Sequence, residues 1–199
     1  FNNLDNNELT QDLAEVVDSE LADNTLPFAS ATVPARSRIG RFLIDREVGR
    51  GGFGVVYLAI DEVLKRSVAL KIPREEMDQA TKERFLREAE AAASLDHPGL
   101  VSVFEAGEVD GICYMASAYC DGGTLAQWLT AQSSVPLRVT AKIVQSLAEA
   151  IQHAYDRGVV HRDLKPRNVM LTSAKDAAGE DEPPFVARVT DFGLAKVAE

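Results

Sequence analysis

The sequence predicts an α+β fold, with a mostly antiparallel sheet in its first part and helices in its second. Two observations predict it. Short β-branched and apolar runs separated by Gly, Pro and Asp turns fill residues 41–72 and 100–118, with one helical pattern between them. After residue 121 the apolar residues recur at i+3 and i+4, as on core-facing helices. Strands gathered first and helices gathered afterwards indicate segregated layers, not alternating βαβ units.

The 199 residues suit one domain with a tail, and 46% hydrophobic with 26% charged residues is ordinary for a globular protein. A net charge of −10 argues against a nucleic-acid surface, which needs clustered Lys and Arg. No apolar run approaches the roughly 18 residues of a membrane span, and no signal-peptide pattern is present. Two cysteines, Cys113 and Cys120, make neither a disulfide framework nor a metal site. The expectation is a cytoplasmic, reducing setting, compatible with a membrane anchor elsewhere in a longer parent chain.

Residues 1–38 form an acidic segment and linker. Leu9, Leu13, Val16, Val17 and Leu21 allow a short amphipathic helix, and Pro27, Ser30, Pro34 and Ser37 mark the linker. Residues 39–118 form the sheet-rich part. Phe42-Leu43-Ile44 and Glu47-Val48 lead into Gly49-Arg50-Gly51-Gly52-Phe53-Gly54, and Val55 to Ile60 leads out. A G-x-G-x-x-G alone is weak evidence, because dinucleotide-binding folds also use it. There it passes from strand into helix; here the exit is strand-like, so the segment makes a hairpin. Ser67 to Ile72 is a strand carrying Lys71, and Pro73 ends it.

Asp78 to Leu95 is helical, with Phe85, Leu86, Ala89, Ala92 and Ala93 as its apolar stripe. Asp96-His97-Pro98-Gly99 turns. Leu100–Glu105 and Gly111–Ala118 are strands about a turn at 107–110. Residues 119–199 start with a connector, then Thr124 caps a helix over Leu125–Gln132. A longer helix starts at Pro136, with Val139, Ile143, Leu147, Ala150, Ile151 and Ala154 facing the core and His153 and Tyr155 as packing residues, and Gly158 closes it. Ser173 to Arg188 reads as an acidic surface insertion ahead of a strand over Val186–Thr190.

Between Val159-Val160 and Val169-Met170-Leu171 lies the polar run His161-Arg162-Asp163-Leu164-Lys165-Pro166-Arg167-Asn168, with Asp191-Phe192-Gly193 after the next strand. A polar loop braced by apolar strands is where a fold carries catalytic groups. One carboxylate to take a hydroxyl proton, a carboxylate and an amide oxygen for Mg²⁺, and a Lys beside phosphate suit phosphoryl transfer.

With the glycine hairpin and the V-A-x-K strand in order upstream, this run resembles the catalytic loop and metal-binding triplet of protein kinases, closest to bacterial members of the eukaryotic-like serine/threonine family. The resemblance covers residues 42–199. It implies a protein-kinase-like fold: an antiparallel N-lobe with one regulatory helix, and an incomplete helical C-lobe that begins at the connector. It implies ATP and Mg²⁺ as cofactors and Ser/Thr proteins as partners.

By resemblance Asp163 orients and deprotonates the acceptor hydroxyl, Lys165 stabilises the transferring group, and Asn168 and Asp191 hold Mg²⁺. Lys71 pairs the phosphates and Glu88. Val48, Gly49, Arg50, Gly51, Gly52, Phe53 and Gly54 cover the nucleotide, with Val56, Ala69, Ser117, Ala118, Tyr119, Cys120 and Met170 around the adenine. Ser117 is a small residue behind the adenine, and Ala118 stands where an acid is frequent. Ala92 replaces a bulky apolar residue, which loosens the helix against Phe192. Arg162 would meet an activation-segment phosphate, and Arg167 points outward. This chain alone is expected to bind nucleotide weakly and transfer little phosphate. A nucleotide-binding pseudokinase and a dinucleotide-dependent oxidoreductase are the competing readings; the latter rests on the glycine motif alone.

Overall fold

A computed structural model describes residues 33–51, 54–73, 77–174 and 181–192. The sheet-rich part contains β1 (Arg38–Ile39), β2 (Phe42–Gly51), β3 (Gly54–Asp61), β4 (Arg66–Ile72), α1 (Gln79–Ala93), β5 (Val103–Val109) and β6 (Ile112–Ala118). The strands form one antiparallel sheet in the order β1-β2-β3-β4-β6-β5. The remainder contains α2 (Leu125–Ala131), α3 (Leu137–Tyr155), a 3₁₀ turn (Pro166–Asn168) and the hairpin β7 (Val169–Ser173) with β8 (Phe185–Val189).

Alternation along the strands separates two faces. One face carries Phe42, Ile44, Val55, Tyr57, Val68, Leu70, Ile72, Tyr114 and Ala116, all buried in a single cluster. Full burial of a side chain such as Ile44 or Leu70 contributes roughly 1.5–3 kcal/mol. The register Val56↔Lys71↔Met115 and Leu58↔Ala69↔Ser117 assigns these six residues to the other face. There α1 seats Phe85 and Ala89 against Cys113 and Met115. Asp78 caps α1 by accepting the Thr81 N–H at 2.8 Å, and Thr124 with Gln127 forms a capping box on α2.

Several boundaries differ from the sequence reading. Residues 33–38 are bound to the sheet. The Val33 N–H donates to the Tyr57 hydroxyl at 3.0 Å, and Arg36 and Ile44 are joined backbone to backbone. Residues 1–32, with the expected amphipathic helix, lie outside the described residues. The β5–β6 turn is not at 107–110. It is the pair Asp110-Gly111, both at positive φ (51° and 80°), as a tight two-residue hairpin turn demands. Gly107 is inside β5, opposite Tyr114. Ser173 to Arg188 is not all insertion, since Phe185 to Arg188 pair with Ser173 to Met170. The acids Asp181 and Glu182 reach Arg138 and Lys142 of α3. Tyr155 is 65% exposed and so is not a packing residue.

Candidate active site

The β7–β8 hairpin gathers the polar groups at one end. Val169 pairs with Val189, so Asn168 and Thr190 leave the hairpin side by side, and the Thr190 N–H donates to the Asn168 carbonyl at 2.9 Å. Asp191 follows immediately. The 3₁₀ turn closes with the Asn168 N–H on the Lys165 carbonyl at 2.9 Å. Asn168 is buried, and its amide nitrogen donates to the Asp163 carbonyl at 2.9 Å and to Asp163 Oδ2 at 3.2 Å. That orientation commits the amide nitrogen to Asp163 and turns the amide oxygen away from it.

Asp163 is fixed further by Lys165, whose Nζ donates to Oδ2 at 2.6 Å. The Lys165 hydrogen bond, opposed by desolvation and helped by Asn168, holds the Asp163 pKa below the usual carboxylate range. Lys165 therefore rests on Asp163. Arg167 is exposed, as expected, and Arg162 is exposed as well.

Lys71 reaches this group from the sheet. Its Nζ donates to Asp191 Oδ1 at 2.6 Å, with side-chain exposures of 12% and 38%. The expected Lys71–Glu88 pair is not what the structure contains. One carboxylate oxygen of Glu88 is buried without a hydrogen-bond partner. Burial raises its pKa, against opposing pulls from Arg84 and Arg162. Glu88 instead lines a small cavity with Ala92, Met115, Ser117, Asp191 and Phe192. Ala92 leaves that space open, in line with the loose contact expected between α1 and Phe192. The Lys71 ammonium is instead matched by the Asp191 carboxylate at 2.6 Å.

The glycines divide by physical cause. A Cβ on Gly54, at φ +148°, would meet the Ile72 carbonyl oxygen at 2.3 Å, so crowding against β4 requires glycine there. Gly51 has nothing within 4 Å of such a Cβ, and Gly49 only Val56 Cβ at 4.0 Å. No internal contact demands glycine at those two positions, whereas close approach of a ligand to the backbone would. Gly52 and Phe53 lie outside the described residues, as does Gly193. Arg50 is bonded to Glu47, and Val48 is 42% exposed.

Val56, Ala69 and Ser117 share the face that carries Lys71. The Ser117 hydroxyl donates to the Ala69 carbonyl at 3.4 Å. The Ala118 N–H is taken by the Ser102 carbonyl at 2.9 Å. Tyr119 and Cys120 continue into the connector. Cys120 is buried, and burial pushes its thiol pKa up. The connector is stitched to β7: Gly122 N–H donates to Leu171 O and Leu171 N–H to Gly123 O, both at 2.9 Å. Thr124 bridges Met170, which brings Met170 to the connector.

The sequence reading left His161 and Thr190 without roles. His161 is buried. Its Nε2 lies 2.8 Å from the Thr190 carbonyl, and its Nδ1 accepts the Asp163 N–H at 3.3 Å. Its ring is 4.8 Å from that of Phe192. The histidine thus braces Asp163 and the strand end carrying Asp191 together. The signal was its place as the first residue of the polar run. Arg162 and Asp191 both adopt φ 61°, a left-handed conformation that clusters at functional sites and costs on the order of 1 kcal/mol or more.

The donor set fits a hard cation. Asn168 offers an amide oxygen and Asp191 a carboxylate, and Mg²⁺ is held by one or two protein oxygens with phosphates completing the shell. Among the described residues no three His, Cys, Asp or Glu side chains form a metal cluster of their own.

Comparison with known proteins bears on the family and the fold. The chain is 40% identical over 158 residues to the serine/threonine-protein kinase PrkC of Bacillus subtilis, spanning 78% of this chain and 23% of PrkC. It is 38% identical over 164 residues to PknJ of Mycobacterium tuberculosis, spanning 81% and 27%. The crystal structure of the Mycobacterium tuberculosis PknI kinase domain superposes with a TM-score of 0.68 at 30% identity, covering 82% of this chain and 64% of that one. The chain thus spans about a quarter of the length of the curated relatives it matches. The protein kinase domain family matches residues 42–199, and the chain belongs to that family, beside bacterial serine/threonine kinases.

Proposed function

We propose that this chain is the nucleotide-binding and catalytic-loop portion of a cytoplasmic serine/threonine protein kinase, transferring the γ-phosphoryl of ATP to protein hydroxyls. The observation that carries the reading is the ion pair between Lys71 of the sheet and Asp191 beyond β8. It joins the strand expected to hold phosphates to the hairpin end that presents Asp163 and Asn168.

In this reading the glycine hairpin, through Gly49 and Gly51, lets backbone N–H groups approach the phosphates. Val48, Val56, Ala69 and Met170 enclose the adenine, and backbone groups of residues 117–120 hydrogen-bond its edge. Asn168 and Asp191 would hold Mg²⁺, which when bound neutralises phosphate charge and keeps the transferring group in line. Asp163, weakly basic beside Lys165, orients the acceptor hydroxyl and takes its proton as the new O–P bond forms and the bond from the γ-phosphorus to the β,γ-bridging oxygen breaks, so that ADP leaves. Lys165 then faces the charge developing on the phosphoryl oxygens. Lys71 exchanges Asp191 for phosphate oxygens and Glu88.

The separation of Glu88 from Lys71 favours one alternative, a nucleotide-binding regulator without transfer activity. Transfer of label from γ-labelled ATP to a protein acceptor separates the two, using the full-length protein and its Asp163→Asn variant. Label transfer lost in the variant supports the kinase reading. Equal transfer in both rules out Asp163 as the base, and none in either favours the regulator.

A further inference from the structure

The loop between α1 and β5 is held by two imidazoles whose Nδ1 atoms are already committed. His97 Nδ1 accepts the Gly99 N–H at 3.0 Å. His153, in the last turn of α3, has its Nδ1 3.3 Å from an Arg157 guanidinium nitrogen. A peptide N–H and a guanidinium can only donate, so both Nδ1 atoms are acceptors and each neutral ring carries its hydrogen on Nε2. The rings face one another with centroids 5.1 Å apart, and His153 Nε2 is buried with no hydrogen-bond partner. A proton added to either ring must sit on Nδ1, against a donor already pointing there.

The charged groups around the pair act in both directions. Burial, Arg157 and His97 disfavour a charged His153, while Asp96 from the loop and Asp156 from the end of α3 favour it; the net effect lowers its pKa. The loop is also tied to β8. The Val189 N–H donates to the Gly99 carbonyl at 2.8 Å, and the Val101 N–H donates to the Val189 carbonyl at 2.9 Å. Gly99 fits closely against α3, since an added Cβ would lie 2.9 Å from Ala150 Cβ. Thus His153 on α3 contacts His97, His97 shapes the turn at Gly99, and Gly99 pairs with the strand that ends two residues before Asp191.

We propose that His153, seated against His97, is the acid-released half of a clamp, two positioning residues that hold the 97–101 loop and, through β8, the placement of Asp191. The clamp itself stands independently of the kinase reading; only its effect on nucleotide binding rests on that reading. Unfolded imidazoles titrate near about pH 6.5. His153, held neutral by the fold, takes up a proton on unfolding, so its stabilisation is complete above that pH and is lost as pH falls.

The test compares the chain with His153→Phe and with His97→Asn/His153→Phe between pH 7.5 and 5.5. Asn retains an acceptor for Gly99 and Phe retains a ring, and neither titrates. Nitrogen-15 NMR of the histidines should show both rings as Nε2–H tautomers at pH 7.5. On acidification the parent should lose about 3 °C more in Tm than either variant. Mg·ADP affinity should fall more steeply in the parent than in either variant. A proton on Nδ1 of either ring at pH 7.5, or parallel Tm profiles in the parent and the single variant, overturns the clamp. If Tm profiles diverge but Mg·ADP does not bind the parent at pH 7.5, the clamp is upheld and the kinase reading fails.

Discussion

At Glu88, a buried carboxylate oxygen lacks a partner and burial raises the pKa. A carboxyl whose folded pKa is raised favours folding when protonated, and that advantage is lost as pH rises through the folded value. Near neutral pH the ionised group is therefore a liability. Glu88→Gln should raise the Tm of the nucleotide-free chain at pH 7.5 by an amount equivalent to about 1 kcal/mol or less, the group being partly exposed. The same change should lower phosphoryl transfer, which thermal melts and label transfer on one preparation would check. Lys71→Ala removes the ammonium that Asp191 now holds. Transfer should fall about 100-fold or more, as when a preorganised charge at a transition state is deleted, measured as kcat with saturating ATP.

Among the elements, the turn from β2 into β3 depends on Gly54. Gly54→Ala would drive a Cβ to 2.3 Å from the Ile72 carbonyl oxygen. The cost should be about 2–3 kcal/mol, read as a lower midpoint in urea with an unchanged m-value. The elements also show what could be read in advance. The strands around the glycine turn, α1, α3 and the polar loop were legible because each is declared by local spacing, and Asp163, Asn168 and Asp191 emerge at one hairpin end. What was not legible depended on distant partners. Arg38–Ile39 is too short for any periodicity and exists as a strand because Phe42 and Leu43 lie opposite. The partner of Lys71 is decided by where α1 sits, which its sequence does not state. The Asp110-Gly111 turn was legible in principle, since Asp-Gly is a strong hairpin signal; the preceding Gly107 drew the turn too early. His161 acts through a carbonyl 29 residues away, which spacing cannot reveal.

For the molecule as a whole, the sheet is anchored at the end of its interior strand β3 by Asp61, a fully buried carboxylate. Burial opposes its charge, but the Leu64 and Val63 N–H groups and Arg41 prevail and lower its pKa. A depressed carboxyl contributes stability that is present above its unfolded pKa of about 3.9 and is lost as pH falls through the folded value. Asp61→Asn should lower Tm at pH 7 and flatten the acid branch of the Tm profile below about pH 4. Arg41 also bonds Glu105, and Glu105 accepts from the Tyr114 hydroxyl. Burial, with that hydrogen bond, pushes the Tyr114 pKa to about 12. In the proposed reading, nucleotide would engage the same body. Mg·ATP at one hundred times its Kd should stabilise it by about 2.7 kcal/mol, seen as a rise in Tm.

The Lys71–Asp191 ion pair carries a consequence for the order of arrival. A divalent cation coming alone would have to evict an ammonium from the carboxylate and would leave that ammonium stranded. A cation escorted by a triphosphate brings the ammonium a new anion in the same step. Mg²⁺ without nucleotide should therefore leave the melting curve where it is, and a shift caused by the bare ion would contradict this sequence of events.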